Sequence, residues 1–284
     1  MAFHSVESLL AAAGDKPLWQ AVLEDDCRDR GVDRSDSQDR METLWRAMTN
    51  AVAQYDPSRR STSALVGGAG GQMERANDSL CGPFIQQVIS TALKTGECNA
   101  CMGCIVAAPT AGASGVMPAV LLPTQNKFSL SDEIMVQALY VAAGFGQVIA
   151  TRASISGAEG GCQAEIGSAS AMAAAALVHL RGGTPEQMAA ACAMALKNLL
   201  GLVCDPVAGL VEVPCVKRNV IGAMNALSCA DMALAGIRSS IPCDEVIDAM
   251  RSVGDAMPAA LRETGLGGLA ATPTGRKVAD RFLP

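Results

Sequence analysis

Apolar residues recur at helical spacing along most of this chain. Met41, Leu44, Trp45 and Met48 illustrate the pattern, since side chains three or four positions apart share one face of a helix. No stretch shows the β-branched and aromatic enrichment that marks a strand. The chain is therefore predicted to be all-α: a single compact domain of closely packed Ala- and Gly-rich helices with functional loops.

The predicted domain spans residues 1–284. Residues 1–60 form N-terminal helices, with a break near Gly14 and a solvated connection where charges of both signs crowd residues 25–40. Ser35, three positions before Gln38, resembles a capping box that starts the next helix. The core over residues 61–284 carries the site. Within it, residues 100–122 are interrupted by Gly and Pro, and the tail over 265–284 is predicted to be mostly irregular. Helices are predicted at 84–94, 131–149, 163–181, 185–200, 217–236 and 243–256.

Composition excludes several classes of partner. The net charge of −6 disfavours a nucleic-acid partner, which requires a basic face. The uncharged runs over residues 105–126 and 134–151 contain Pro, or Gly and Gln, and neither resembles a bilayer-spanning segment. The N-terminal residues hold charges at Glu7 and Asp15 and no long apolar core of a signal peptide. We therefore expect a cytoplasmic protein with reduced thiols and no membrane partner.

Eleven cysteines are present, which is many for this length, and the number is odd. We expect these thiols to be reduced, since disulfide frameworks belong to short secreted chains. Unpaired cysteine often behaves as a small buried hydrophobe. We expect that role for five of them: Cys27, Cys81, Cys192, Cys229 and Cys243.

The other six cysteines form two candidate metal sites. Cys98, Cys101 and Cys104 match the first three ligands of a bacterial ferredoxin, with Ala108 where the fourth would stand. This spacing is compatible with a local zinc or iron–sulfur site, and thus with a non-enzymatic electron-transfer or iron-sensing protein. The alternative is that these small residues line a tight contact between a helix and a loop.

Cys162, Cys204 and Cys215 form the second candidate site. They follow two glycines, precede Asp-Pro and follow Pro214, respectively. Thiols on loops that helices hold in place are typical of a preorganised metal site, and three thiolate ligands leave one position open. Their wide spacing carries no information by itself, so the residues alone leave the choice between the two sites open.

Three long motifs bear on this choice. They occupy residues 108–112 (Ala-Pro-Thr-Ala-Gly), 156–167 (Ser-Gly-Ala-Glu-Gly-Gly-Cys-Gln-Ala-Glu-Ile-Gly) and 204–219 (Cys-Asp-Pro-Val-Ala-Gly-Leu-Val-Glu-Val-Pro-Cys-Val-Lys-Arg-Asn). They resemble the α chain of the iron–sulfur-dependent bacterial L-serine dehydratases, and the resemblance extends over nearly the whole chain. It implies a [4Fe–4S] cluster held by Cys162, Cys204 and Cys215, and it assigns no ligand role to the other trio.

The resemblance also implies a reaction, the conversion of L-serine to pyruvate and ammonia in amino-acid catabolism and gluconeogenesis. An open iron would act as a Lewis acid on the β-hydroxyl, a poor leaving group. No pyridoxal phosphate is expected, because no lysine has an evident phosphate cup beside it. A threonine deaminase or a cysteine desulfidase with the same cluster is the alternative within this class.

Substrate-binding residues are expected in the loops around these motifs. Glycines there allow backbone N–H groups to approach a carboxylate closely, and the segment after Cys215 adds charge. Glu159 and Glu165 are candidates to hold the amino group. The full set of predicted substrate-binding residues is Thr110, Gly112, Ser156, Gly157, Lys217, Arg218 and Asn219.

The general base is not evident in the sequence. The chain has two histidines, of which His179 lies on an Ala-rich helix and His4 near the terminus, and neither is expected to be catalytic. Members of the resembled family occur as one long chain or as separate α and β chains, and this sequence matches the α part. We therefore expect an oligomer in which a β chain completes the site.

Overall fold

The computed structural model describes residues 3–282, and within them it contains α-helices, short 3-10 turns and one π-helical turn but no strand. The predicted all-α class is confirmed. The helices pack into one body, with helical segments joined mostly by short loops. They are α1 Val6–Ala13, α2 Leu18–Arg30, α3 Arg34–Ala53, α4 Ala69–Glu74, α5 Gly82–Ala100, α6 Val116–Phe128, α7 Asp132–Arg152, α8 Gly157–Gly160, α9 Ser168–Leu180, α10 Pro185–Lys197, α11 Cys215–Leu234, α12 Cys243–Ala256 and α13 Pro273–Phe282.

Helix α9 is the centre of the fold. Every residue from Ser168 to Val178 is buried, and α9 contacts α6, α7, α10 and α11. A helix that is apolar all round needs neighbours on all sides, and its Ala side chains let those neighbours approach closely. The Ala-rich composition therefore explains how four helices surround one.

Helix α7 is long and apolar enough to cross a bilayer, and it is the one such helix in the described part of the chain. Of its apolar window, 61% is buried inside the protein. Phe145 and Ile149 are fully enclosed, and α7 packs against α2, α3 and α9. Its apolar residues therefore contribute to the core.

The prediction of a solvated connection over residues 25–40 is wrong. Helix α2 continues to Arg30, and its charges pair along the helix, with Arg30 Nη1 2.8 Å from Asp26 Oδ2. Such pairs at four-residue spacing stabilise a helix. Asp33, rather than Ser35, caps α3, since its carboxylate accepts the Asp36 N–H at 2.9 Å.

Two more helices lie where irregular structure was predicted. Helix α6 begins at Val116 and tolerates Pro118 in its first turn, where the missing N–H has no helical partner to lose. In the tail, the Thr272 hydroxyl accepts the Gly275 N–H at 3.1 Å and α13 starts at Pro273, a common first helical residue. Two cysteine predictions also fail, because Cys81 is exposed and Cys27 only partly buried, whereas Cys192, Cys229 and Cys243 are buried as expected.

The first turn of α7 supports a prediction about pH. Asp132 Oδ1 accepts Trp45 Nε1 at 2.9 Å and Gln125 Nε2 at 2.7 Å, and these bonds, that of Trp45 first, lower its pKa from the usual 3.8. A lowered pKa stabilises the fold above the unfolded-state value, and this contribution disappears as pH falls through the folded-state value. We expect Asp132→Asn to cost about 1 kcal/mol at pH 7 and progressively less below about pH 4.

Thermal unfolding of Asp132→Asn and the unmodified chain, followed by circular dichroism between pH 3 and 7, measures this difference. A difference in melting temperature that stays constant over the whole range would contradict the role assigned to the carboxylate.

Candidate functional site

Three segments, far apart in sequence, carry Cys162, Cys204 and Cys215. Cys162 follows α8 and precedes a π-helical turn, Gln163–Gly167, that leads into α9; such turns are frequent at functional sites. Cys204 is held in an extended segment, where its N–H donates to Leu261 O at 2.9 Å and its carbonyl accepts the Glu263 N–H at 2.8 Å. Cys215 is the first residue of α11.

The three thiols share one buried region. Burial is the main cause that raises the pKa of Cys162 to about 11 and that of Cys215 to about 12. Burial is also the main cause of the raised pKa of Cys204. The charge on Cys162 contributes to the raised pKa of both other thiols. One carboxylate, that of Glu165, contributes to the raised pKa of all three thiols, and its Oε2 lies 3.8 Å from Cys204 Sγ.

This donor set fits a cationic metal group. Three buried thiolates would repel one another, and only a nearby positive charge stabilises them in the ionised form. All three cysteines are unpaired and buried. Within residues 3–282, however, no group of three His, Cys, Asp or Glu side chains is arranged to hold a single metal ion.

Arg218 supplies positive charge from the protein itself. It lies within reach of the Cys162 thiol, whose pKa it lowers against the effect of burial. Its guanidinium donates to Val203 O at 2.7 Å and to Asp205 Oδ1 at 2.8 Å. Asp205 Oδ2 in turn accepts the Leu269 N–H at 2.8 Å. The neighbouring Lys217, also predicted to bind substrate, is exposed and lies outside this network.

Asn219 joins the loop that begins at Thr110 to α11. Its Oδ1 accepts the Gly115 N–H at 2.8 Å, while its Nδ2 donates to Gly112 O at 2.8 Å and to Cys215 O at 3.0 Å. All three bonds of this buried side chain are made within the protein. Asn219 therefore fixes the position of a cysteine relative to the glycine loop.

Glu165 is the carboxylate at the centre of this arrangement. Its Oε1 accepts the Thr110 hydroxyl at 2.7 Å, and its Oε2 lies 3.8 Å from Cys204 Sγ. Burial is the main cause that raises its pKa. Gly157 and Gly112 face the same carboxylate, since a Cβ added at either would lie 2.7 Å and 3.5 Å from its oxygens, respectively.

The structure therefore gathers most of the predicted site residues. Five of them lie against one of the three cysteines or against the neighbouring Glu165 carboxylate. Ser156 lies at the start of α8 without a side-chain contact to the trio, and Glu159 is exposed with its carboxylate bound to the Ser154 hydroxyl at 2.6 Å. The residues brought together with the three cysteines are Thr110, Gly112, Gly157, Arg218 and Asn219.

The sequence did not reveal two supports of the site. Glu212, in the loop between two of the cysteines, is buried and accepts the Ser61 hydroxyl at 2.8 Å and the Ser63 hydroxyl. Asp205 anchors Arg218. Asp205 is visible in the sequence beside Cys204, but nothing in the sequence indicates which residues 13 to 151 positions away would contact these two carboxylates.

The other cysteine trio occupies a different environment. Cys98 lies in the last turn of α5 and is partly buried, Cys101 is buried and Cys104 is exposed. Burial is the main cause that raises the pKa of Cys98, and the charges of Cys101 and Cys104 add to it. The positive charge of Arg59 partly offsets this rise. The Arg59 guanidinium donates to Cys101 O at 2.7 Å. This trio is therefore compact but nearer to the surface.

The buried ion pair beneath Cys162 yields a stability prediction. The pair has side-chain exposures of 12% for Arg218 and 5% for Asp205, so Asp205→Asn would leave a buried guanidinium without its counter-charge. We expect a cost of about 3 kcal/mol in free energy of unfolding. Asp248→Asn is the matched control: its carboxylate pairs with Arg152 at 2.6 Å but is 53% exposed, and its loss should cost less than about 1 kcal/mol.

Urea unfolding of both variants measures the difference. Equal, small losses would contradict the structural role given to Asp205.

The chain is similar in sequence to known proteins over a range that includes these site residues. The chain matches the family described as "Serine dehydratase alpha chain" over residues 14–270. It belongs to that family. It is 50% identical to the "Probable L-serine dehydratase, alpha chain" of Bacillus subtilis over 286 aligned positions, which cover 99% of this chain and 95% of the relative.

Two other relatives show different extents of similarity within the family. The "L-serine dehydratase, alpha chain" of Peptoniphilus asaccharolyticus is 44% identical, with 94% of this chain and 92% of the relative covered. The "L-serine dehydratase 1" of Escherichia coli is 46% identical over 63% of this chain, but only 40% of that relative is covered. The Escherichia coli protein therefore holds additional sequence outside the matched region.

Proposed function

We propose that this chain is the α chain of an L-serine dehydratase, which converts L-serine to pyruvate and ammonia with a [4Fe–4S] cluster bound to Cys162, Cys204 and Cys215. The observation that carries the proposal is three buried, unpaired thiols that share one neighbouring carboxylate, Glu165, in a chain whose relatives over nearly full length bear that name. When bound, the cluster supplies Lewis acidity toward the substrate hydroxyl. No pyridoxal phosphate is part of the proposal.

The protein's own residues then bind and orient the amino acid. Glu165 is buried beside Cys204, and its carboxylate is placed to accept hydrogen bonds from the substrate ammonium group. The backbone around Thr110 and Gly112 lies against the same carboxylate and offers donors to the substrate carboxylate. Arg218 and Asn219 would position the site and not contact the substrate, since their polar atoms bond to the protein backbone.

The base that removes the α-proton is proposed to come from a partner chain. His179 lies on α9, where burial lowers its pKa, and His4 is exposed at the N-terminal end; neither contacts the cysteine trio. Two relatives are named as alpha chains, and the Escherichia coli relative carries sequence that this chain does not match. We therefore propose a cytoplasmic oligomer in which a β chain completes the site.

An anaerobic preparation tests the function directly. Iron and acid-labile sulfide are measured together with pyruvate formation from L-serine, with and without a β chain. The proposal predicts iron and sulfide in the chain and pyruvate formation that is sensitive to air. Absence of iron would overturn it. Comparison of kcat/KM for L-serine, L-threonine and L-cysteine distinguishes it from the threonine deaminase and cysteine desulfidase alternatives.

A further inference from the structure

A polar cavity of about 410 Å³ lies beside the turn that leads to Cys162. Residues of α8 and Gln163 form one wall, and α12 forms the other. Arg262, whose neighbours pair with the backbone of Cys204, also lines it. Neither the cysteine trio nor Glu165 lines this cavity, so it is available for a role outside the chemistry described above.

Charged residues of both signs line the cavity. They are two arginines, Arg251 and Arg262, and two acidic residues, Glu159 and Asp255. Among residues 3–282, no ion pair joins either of these guanidiniums to a carboxylate. The two guanidinium groups and the two carboxylates therefore do not form ion pairs with each other.

The arginines retain most of their hydrogen-bonding capacity. Arg251 Nη1 donates to Arg152 O at 3.3 Å, and Arg262 Nη1 donates to Glu159 O at 3.5 Å. Each guanidinium has five N–H donors in a planar fork that suits a carboxylate. Both side chains are thus held at the cavity by one backbone carbonyl each, with donors left for a ligand.

We propose that this cavity binds a zwitterionic α-amino acid. Its carboxylate would pair with Arg251 and Arg262, and its ammonium group with Asp255 and Glu159. A simple anion would leave two acidic residues beside it, and a simple cation would leave two guanidiniums, so a ligand with both charges matches the lining best. Glu159 is already oriented, since its carboxylate accepts the Ser154 hydroxyl at 2.6 Å.

The walls of the cavity are tied to the segment that holds Cys162. Helix α12 contacts α8 through two glycines, since a Cβ added at Gly254 would lie 2.9 Å from Gly160 Cα. The buried Gln163 side chain donates to Met250 O at 2.9 Å and accepts the Gly201 N–H at 2.8 Å. An amino acid in the cavity would thus contact residues on both sides of the cysteine, without using the cysteine itself.

Isothermal titration of the full chain with L-alanine tests the proposal. L-Alanine has both charges but no β-hydroxyl, so it cannot undergo the proposed dehydration. We expect saturable binding that weakens roughly tenfold or more in Arg251→Gln and Arg262→Gln, because each removes a charge-assisted bond. Arg238→Gln is the matched control, since this exposed arginine lines a different cavity, and it should bind L-alanine as the unmodified chain does.

Further binding measurements distinguish this cavity from the proposed cluster site. Binding of L-alanine should persist in Cys204→Ala, which removes a cluster ligand, and should weaken in the surface variant Asp255→Asn, which leaves the arginines in place. Acetate and methylammonium should each bind much more weakly than L-alanine. Absence of L-alanine binding, equal binding of acetate, or loss of binding in Cys204→Ala would overturn the proposal.

Discussion

Cys204→Ala should abolish pyruvate formation, with a fall in kcat of at least roughly 10³-fold, and should deplete the chain of iron. Under the proposed function, a cluster would lose one of its three thiolate ligands, and the site would lose the Lewis acid that activates the leaving group. The fold itself should lose little, because replacing a buried thiol by a methyl group removes only one heavy atom from the core.

Cys101→Ala is the matched control. Cys101 is also an unpaired, buried thiol of a three-cysteine set, so a general effect of removing a buried sulfur would appear in both variants. We expect Cys101→Ala to keep its iron and at least about half of its activity. Iron analysis and a pyruvate assay on the two proteins decide the matter. The opposite pattern, with iron lost only from Cys101→Ala, would favour an electron-transfer or iron-sensing protein.

Gly157→Ala should reduce activity by roughly 100-fold, since displacement of a reacting group by about 1 Å has effects of that size. An added Cβ would lie 2.7 Å from Glu165 Oε2 and 2.9 Å from Cys204 Sγ. Both distances are shorter than a van der Waals contact, so the carboxylate and the thiol would have to move. The substitution thus acts on the site through a single methyl group.

Gly167→Ala provides the comparison for this variant. Gly167 ends the π-helical turn next to the site, but its added Cβ would meet only Leu199 Cβ at 3.8 Å and Leu196 Cδ2 at 3.9 Å. We expect activity within about twofold of the unmodified chain and a slight gain in stability, because alanine restricts the unfolded chain more than glycine does. Steady-state kinetics on both proteins test the contrast; comparable losses would show that the close contact at Gly157 is not the cause.

Periodicity in the sequence was sufficient for the helices of the core. The helix predicted over residues 185–200 is present as α10, and a capping box starts it, with the Thr184 N–H donating to Gln187 Oε1 at 2.9 Å. Periodicity was not sufficient where one stretch of sequence is compatible with both a loop and a helix. Residues 25–40 carry a charge pattern that suits both a solvated loop and a helix with pairs such as Asp26–Arg30, and the helix prevailed.

For the site, the sequence indicated the segments involved but not the contacts between their side chains. The motifs identified the three cysteines and the loop at Thr110, but they did not show which side chains would face the trio. Lys217 and Arg218 are adjacent and both cationic, yet their side chains point in different directions from α11, and only Arg218 is partly buried. The partner that holds Arg218, Asp205, became evident only from the fold, because such pairing depends on how α11 packs.

The alanine-rich centre of the molecule has a further consequence. Alanine gives up no rotamer freedom when it is buried, so α9 is packed at almost no cost in side-chain entropy. Between Ala169 and Ala176 every position is buried, so a residue larger than alanine at any of the alanines would have to displace packed core atoms. This part of the chain should therefore tolerate enlargement poorly, and sequence drift there should be confined to the smallest residues.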